Sequence, residues 1–280
     1  MKKINKLQAI LPDLLLADAP WLASWGYSGV QVNKYAASGW LQRPARGVYM
    51  RPGCRLHWQA AVVSLQTLVG APLSIGGLTA LEMQGRAHFI YPQMPGKIFL
   101  YGPKPPPGWL AKLNLSKKFV FRKTTRLFAA RKYWCQTGRC QWDFAAERFV
   151  PQPQPAVGIM ARMWSERNFP LQISVPERAL LEFIDELPEN YPLADADLLI
   201  EGMVDMKPQL LQDLLADCTS VKVKRLALWF IDRHHPRLLD HVDQQCIDLG
   251  RGNRVLVKEG FLDRKYRITL PKSMKHVSKY

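Results

Sequence analysis

Residues 27–51 read YSGVQVNKYAASGWLQRPARGVYMR. Ser28 is a good helix N-cap, and Gly39 supplies a C-terminal stop. Between them Val32, Tyr35 and Ala36 recur at helical spacing and form one apolar face, while Val30, Gln31, Asn33 and Lys34 fall on the opposite face. From Trp40 to Arg51 the pattern changes to strand, tight turn, strand, with Arg43, Arg46 and Arg51 on or beside the hairpin. A helix followed by a basic hairpin is the reading unit of a winged helix-turn-helix. Such a helix fits the major groove of B-DNA, and its N-terminal side chains reach base edges. The candidate DNA-binding residues are therefore Ser28, Val30, Gln31, Asn33, Lys34, Arg43, Arg46 and Arg51. The helix start at Ser28 can hold a phosphate. Gln31 and Asn33 offer donors and acceptors to bases, Lys34 suits guanine or phosphate, and the arginines suit phosphates or the minor groove. Two blander readings stand beside this one: Gln31 and Asn33 as solvated helix residues, and a winged helix used for protein contacts.

Upstream, Ile4, Leu7, Leu11, Leu14 and Leu15 have helical spacing over 4–16, with Pro12 predicting a kink or two short helices. A second helix is expected over 20–25, capped by Asp18 and ended by Gly26. Downstream, helices are expected over 57–68 and 74–83, and strands over 97–101 and 118–123. Beyond the proline-rich loop at 151–155, a helix is expected to open at Ser174 or Val175 and reach about Glu186, with further helices at 195–205, 208–217 and 222–233, then a pair of strands at 255–258 and 266–270. The fold class this predicts is α+β: an N-terminal winged helix-turn-helix domain over 1–95 and a larger mixed α/β C-terminal domain over 96–280. The Pro105-Pro106-Pro107 break is a competing boundary. A length of 280 residues suits two domains.

The formal net charge is +16, from 39 Lys/Arg against 23 Asp/Glu. The excess is local: residues 1–95 carry +6, residues 96–180 carry +11 and residues 181–280 carry −1. No acidic residue occurs among the 60 positions between Glu82 and Asp143, while 12 are Lys or Arg. A field of this sign attracts polyanions, nucleic acid first. The same stretch holds Phe89, Tyr91, Phe99, Tyr101, Trp109, Phe119, Phe121, Phe128, Tyr133 and Trp134. These could stack on single strands, but alternating strand aromatics are more often core.

Asp13 and Asp18 interrupt the only apolar run that could serve as a secretory signal, and no stretch approaches a membrane span. Cys54, Cys135, Cys140, Cys218 and Cys246 are odd in number and lack zinc spacing, which reads as free thiols in a reducing cytoplasm. No phosphate-loop or Gly-x-Ser-x-Gly motif is present. His234, His235 and His241 lie among Asp232, Asp240 and Asp243, yet Pro236 breaks any shared helix face. No metal or cofactor is expected. The alternative to a non-enzymatic regulator is a metal-dependent nuclease with a winged-helix targeting domain. It would rest on the Asp205-Met206-Lys207 spacing, with Asp197 upstream and the histidine cluster nearby, although residues before Pro208 commonly serve as caps.

Several segments, in order, resemble one family: Ser38-Gly39-Trp40-Leu41, Arg46-Gly47-Val48-Tyr49, Trp58-Gln59-Ala60-Ala61, Gly76-Gly77-Leu78-Thr79-Ala80-Leu81, Pro176-Glu177-Arg178-Ala179, Ser220-Val221-Lys222-Val223-Lys224-Arg225, and Tyr266 to Pro271. Together they are similar to the AbiEi antitoxins of bacterial type IV toxin–antitoxin and abortive-infection (phage-resistance) systems. The resemblance implies that the winged helix represses its own operon by binding inverted repeats upstream. It implies that the C-terminal domain counteracts a nucleotidyltransferase toxin, typically without a stable complex. The family's DNA-contacting surface falls on the 28–38 helix and the 40–51 hairpin. Lys222, Lys224 and Arg225 read as a solvated helix face or as part of a toxin-neutralising surface, the former preferred.

Overall fold

Pro12 decides where the first helix ends. α1 (Lys3–Ile10) buries Leu7 and Ile10. Pro12 has no N–H for the Gln8 carbonyl, and a proline ring clashes with the carbonyl four residues back. That carbonyl instead accepts from the Arg51 guanidinium at 3.4 Å. The helix expected to reach residue 16 therefore stops early. A turn replaces it, with Leu14 at a φ of 70°, followed by β1 (Ala17–Asp18). The computed structural model describes residues 3–87, 96–134, 141–143, 148–150 and 156–275; Phe89, Tyr91, Cys135 and Cys140 lie outside them.

Asp18 caps α2 (Ala19–Ser24), accepting from the Trp21 N–H at 2.9 Å, with Pro20 in the first turn. α3 (Gly29–Ala37) follows, then β2 (Gln42–Ala45) and β3 (Val48–Met50). These strands and β1 make a three-stranded antiparallel sheet ordered β1-β3-β2. Ala45 pairs with Val48, so Arg46 and Gly47 are a two-residue turn. Gly47 has a φ of +75°, a position in which other side chains are strained. Leu7, Leu11, Leu22, Tyr27, Val32, Leu41 and Tyr49 pack into one buried cluster. The order α1-β1-α2-α3-β2-β3 around such a core is a winged helix-turn-helix.

The chain continues through α4 (Trp58–Thr67), β4 (Ser74–Ile75), α5 (Gly77–Met83), β5 (Lys97–Gly102), β6 (Lys118–Lys123), the hairpin β7 (Gln141–Asp143) and β8 (Arg148–Val150), β9 (Ile159–Trp164) and β10 (Phe169–Ser174). The helix expected over 74–83 is in fact strand and then helix. Ile75 aligns with Leu100 of β5 on one side and Ile173 of β10 on the other, and the Gly76-Gly77 pair is a poor helix interior. The resulting five-stranded mixed sheet is ordered β6-β5-β4-β10-β9. Phe99, Tyr101, Phe128 and Tyr133 of the basic aromatic-rich stretch are buried, so these four serve the core rather than a stacking platform.

Further on come α6 (Pro176–Asp185), α7 (Leu193–Glu201), α8 (Pro208–Asp217), α9 (Val221–His234) and α10 (Pro236–Leu239). Three short strands follow: β11 (Arg254–Val255), β12 (Phe261–Asp263) and β13 (Ile268–Leu270). They form a sheet ordered β11-β13-β12 in place of the expected pair. Two compact units emerge, each discontinuous in sequence: Met1–Ile75 with Pro95–Lys123 and Trp134–Ile173, and Gly76–Met94 with Thr124–Tyr133 and Ser174–Tyr280.

In the second unit α6 packs on α5, α8 and α9. The expectation of a solvated face on α9 is corrected: Lys222, Lys224 and Arg225 are all buried. Lys222 Nζ donates to the carbonyls of Asp185 at 2.8 Å and Leu187 at 2.6 Å. Arg225 donates to the carbonyls of Leu249, Gly252 and Arg267 at 2.8–2.9 Å, fastening the β11 segment to α9. Lys222 and Arg225 thus bind backbone carbonyls of segments remote in sequence, and the Arg267 carbonyl also accepts from the Arg254 N–H at 2.8 Å. Lys222→Met should lower stability by about 2 kcal/mol in urea denaturation, since hydrogen bonds to charged groups are worth about 1.5–3 kcal/mol. A change below about 0.5 kcal/mol would return Lys222 to the surface class.

Candidate nucleic-acid interface

The amino end of α3 is built by reciprocal capping. Ser28 Oγ accepts from the Gln31 N–H at 3.3 Å, and Gln31 Oε1 accepts from the Ser28 N–H at 3.1 Å. One residue before the cap, the buried Tyr27 donates its hydroxyl to the Lys3 carbonyl at 2.9 Å, tying α1 to the entry of α3. Burial, with Tyr35 adding to it, pushes the Tyr27 phenol above its ordinary pKa. Val32 is buried against the core, with Tyr35 and Ala36 half-buried beside it. Val30, Asn33, Lys34 and Ala37 are exposed. Their i, i+3, i+4, i+7 spacing places them in one stripe along the solvent face.

The wing rises directly from this helix. Trp40 and Leu41 each donate their N–H to the Tyr35 carbonyl, at 2.9 and 3.3 Å, and the chain then enters β2. Arg43 is exposed on β2, its guanidinium 6.0 Å from the centroid of the Tyr49 ring. Arg46 is exposed in the turn. Lys34 and Arg46 have no ion-pair partner among the described residues. Arg51 is different: it pairs with Asp13 at 2.6 Å, and Asp13 also accepts from Arg167 at 2.8 Å.

Seven of the eight sequence candidates thus sit on α3 with its cap or on the wing hairpin, and Arg51 follows β3, fastened to Asp13. Sequence reading missed Tyr49, whose hydroxyl donates to Asn33 Oδ1 at 3.0 Å and links wing to helix. The available signal was general: a tyrosine placed in a core strand needs a partner for its hydroxyl.

The residues behind the nuclease alternative are engaged in other ways. Arg86 makes a bidentate pair with Asp205, at 2.5 and 2.7 Å, and its hydrogen bond holds the Asp205 carboxyl below the ordinary range. The Lys207 N–H donates to Glu177 at 2.6 Å. Asp197 holds His234 at 2.6 Å and Arg233 at 3.1 Å. His235 meets the Ile200 carbonyl at 2.6 Å, and Asp232 holds Lys265 at 2.6 Å. Among the described residues, no three His, Cys, Asp or Glu side chains gather as a metal-ligand set. Nor is any helix among them long and apolar enough to cross a membrane.

Comparison with known proteins places the chain. Residues 1–91 match the profile described as transcriptional regulator, AbiEi antitoxin N-terminal domain. Residues 96–271 match transcriptional regulator, AbiEi antitoxin, type IV TA system. No curated protein matches at a significant level. Among solved structures, the RV2827C protein from Mycobacterium tuberculosis is similar, with a TM-score of 0.53 and 15% identity over 91% of this chain and 85% of that one. That likeness is one of fold. With both profiles matched in order along nearly the whole chain, the protein belongs to the AbiEi antitoxin family, transcriptional regulators of type IV toxin–antitoxin systems.

Proposed function

We propose that this protein represses its own operon by binding inverted repeats upstream of it, and that it counteracts a nucleotidyltransferase toxin without catalysis and without a stable complex. The DNA-binding function is assigned to residues 1–95 and the antitoxin function to 96–280, both in the cytoplasm. The observation that carries the DNA half is the exposed stripe of α3 beside two wing arginines, in a sequence with no acidic residue from 19 to 81. α3 enters the major groove, with Val30, Asn33 and Lys34 toward the bases and the Ser28 end toward a phosphate. Gln31 caps the helix through its oxygen and keeps its amide donors for a base. Arg43 and Arg46 contact backbone or minor groove, and Arg51, committed to Asp13, adds least. Two copies on inverted repeats would read half-sites about one helical turn apart or a multiple of it.

The toxin half rests on the family. Where the neighbouring gene encodes a nucleotidyltransferase, co-expression with it should restore growth while the two proteins elute separately; a neighbour of another kind removes this half of the proposal. The DNA half is tested by gel shift of the full chain on its own upstream DNA across a salt series. A sequence-preferring complex with steep salt dependence is expected. Binding that is no stronger than to random DNA removes the repressor assignment.

A further inference from the structure

Val30, the second residue of α3, is 81% exposed. It contributes nothing to the buried cluster, and a β-branched residue is no favoured helix former. Its neighbours along the stripe are hydrogen-bond donors. Asn33 has its Oδ1 occupied by the Tyr49 hydroxyl and so presents its amide N–H groups, and Lys34 presents an ammonium. An apolar group beside two donors is therefore displayed on a surface otherwise suited to a polyanion.

We infer that Val30 reads a thymine, its isopropyl group packing on the thymine C5-methyl in the major groove, with Asn33 and Lys34 donating to acceptors nearby. This rests on the proposed binding of DNA through α3. The C5-methyl is the apolar group that unmodified base pairs display in the major groove, and thymine carries the O4 acceptor next to it. A helix places its N-terminal side chains nearest the base edges, which is where Val30 stands. A hydrophobic protein partner fits this surface less well, because Lys34 stands on the same face of α3 and Arg43 and Arg46 are exposed on the wing, cations that no carboxylate among residues 19–81 offsets.

The test replaces thymines by uracil, one position at a time, in the upstream duplex bound by the full chain. Uracil removes the methyl and leaves every hydrogen-bonding group in place. At the contacted thymine, uracil should weaken wild-type binding about 4-fold, the worth of one buried methyl-sized group. Val30→Ala, at an exposed position with no packing to lose, should bind thymine and uracil duplexes equally and keep the wild-type salt slope. If wild type prefers its upstream DNA yet no uracil weakens it, the inference falls while the DNA-binding reading stands. A uracil penalty that persists undiminished in Val30→Ala gives the contact to another residue and also overturns it. Absence of any sequence preference removes both.

Discussion

Replacing Lys34, Arg43 and Arg46 together by alanine is expected to reduce affinity for the upstream DNA by several hundred-fold at about 0.1 M salt. Each phosphate contact contributes about 0.9 to the slope of log affinity against log salt, so losing three should flatten that slope by about 2.7. The fold should survive, because all three side chains are exposed and none joins the winged-helix core. The salt slope separates this mechanism from misfolding: a damaged protein binds less without changing the slope of the molecules that still bind. Arg51→Ala is the internal contrast. Its guanidinium serves Asp13 and the Gln8 carbonyl, so it should leave the slope near its wild-type value. A triple variant with the wild-type slope would mean that these three cations touch no phosphate.

The largest loss of stability is expected from Arg178→Ala in the second unit. Arg178 and Glu182 are fully buried. The guanidinium donates to Glu182 Oε1 at 2.9 Å and to the Tyr133 carbonyl at 2.6 Å, and lies over the Phe128 ring at 5.3 Å. Glu182 Oε2 in turn accepts from the Gly77 N–H at 2.9 Å and the Ser174 hydroxyl at 2.8 Å. One pair thus gathers α5, α6 and the segments at 133 and 174. Removing the cation alone leaves a buried carboxyl uncompensated, at about 3–5 kcal/mol, read as a drop in the urea midpoint.

Burial pushes the Glu182 carboxyl upward, while Arg178 is the largest influence pulling it down. Without Arg178 it rises further. A folded-state pKa above the unfolded value stabilises at low pH and is lost as pH rises. The deficit of Arg178→Ala should therefore be larger at about pH 8 than at about pH 5. A cost under about 1 kcal/mol, or one independent of pH, would mean that the pair holds nothing together.

Local signals proved readable wherever one short segment contained the whole cause. Ser28, Gly39 and the apolar spacing of Val32, Tyr35 and Ala36 sufficed for α3, because capping and helical period act within about ten residues. The exposure of Val30, Asn33 and Lys34 followed from the same period. The Arg46-Gly47 turn was equally local. Misreadings came where the partner was remote. Ser74 and Ile75 belong to a strand because β5 and β10 lie on either side of Ile75. Lys222 and Arg225 of α9 read as a solvated face because their partners, the carbonyls at 185, 187, 249 and 267, lie at least 24 positions away in sequence.

Helical and hairpin periods, caps and the acid-poor stretch are carried by neighbouring residues, so the order of residues alone determined a groove-sized helix with a cationic wing on a basic chain. Which of those side chains are free to meet DNA was decided only by the folded chain. Arg51 is claimed by Asp13, 38 positions away, and Asn33 is turned by Tyr49, 16 positions away. A long side chain takes whichever polar partner the backbone brings within about 3 Å, and that choice does not exist until distant segments have packed.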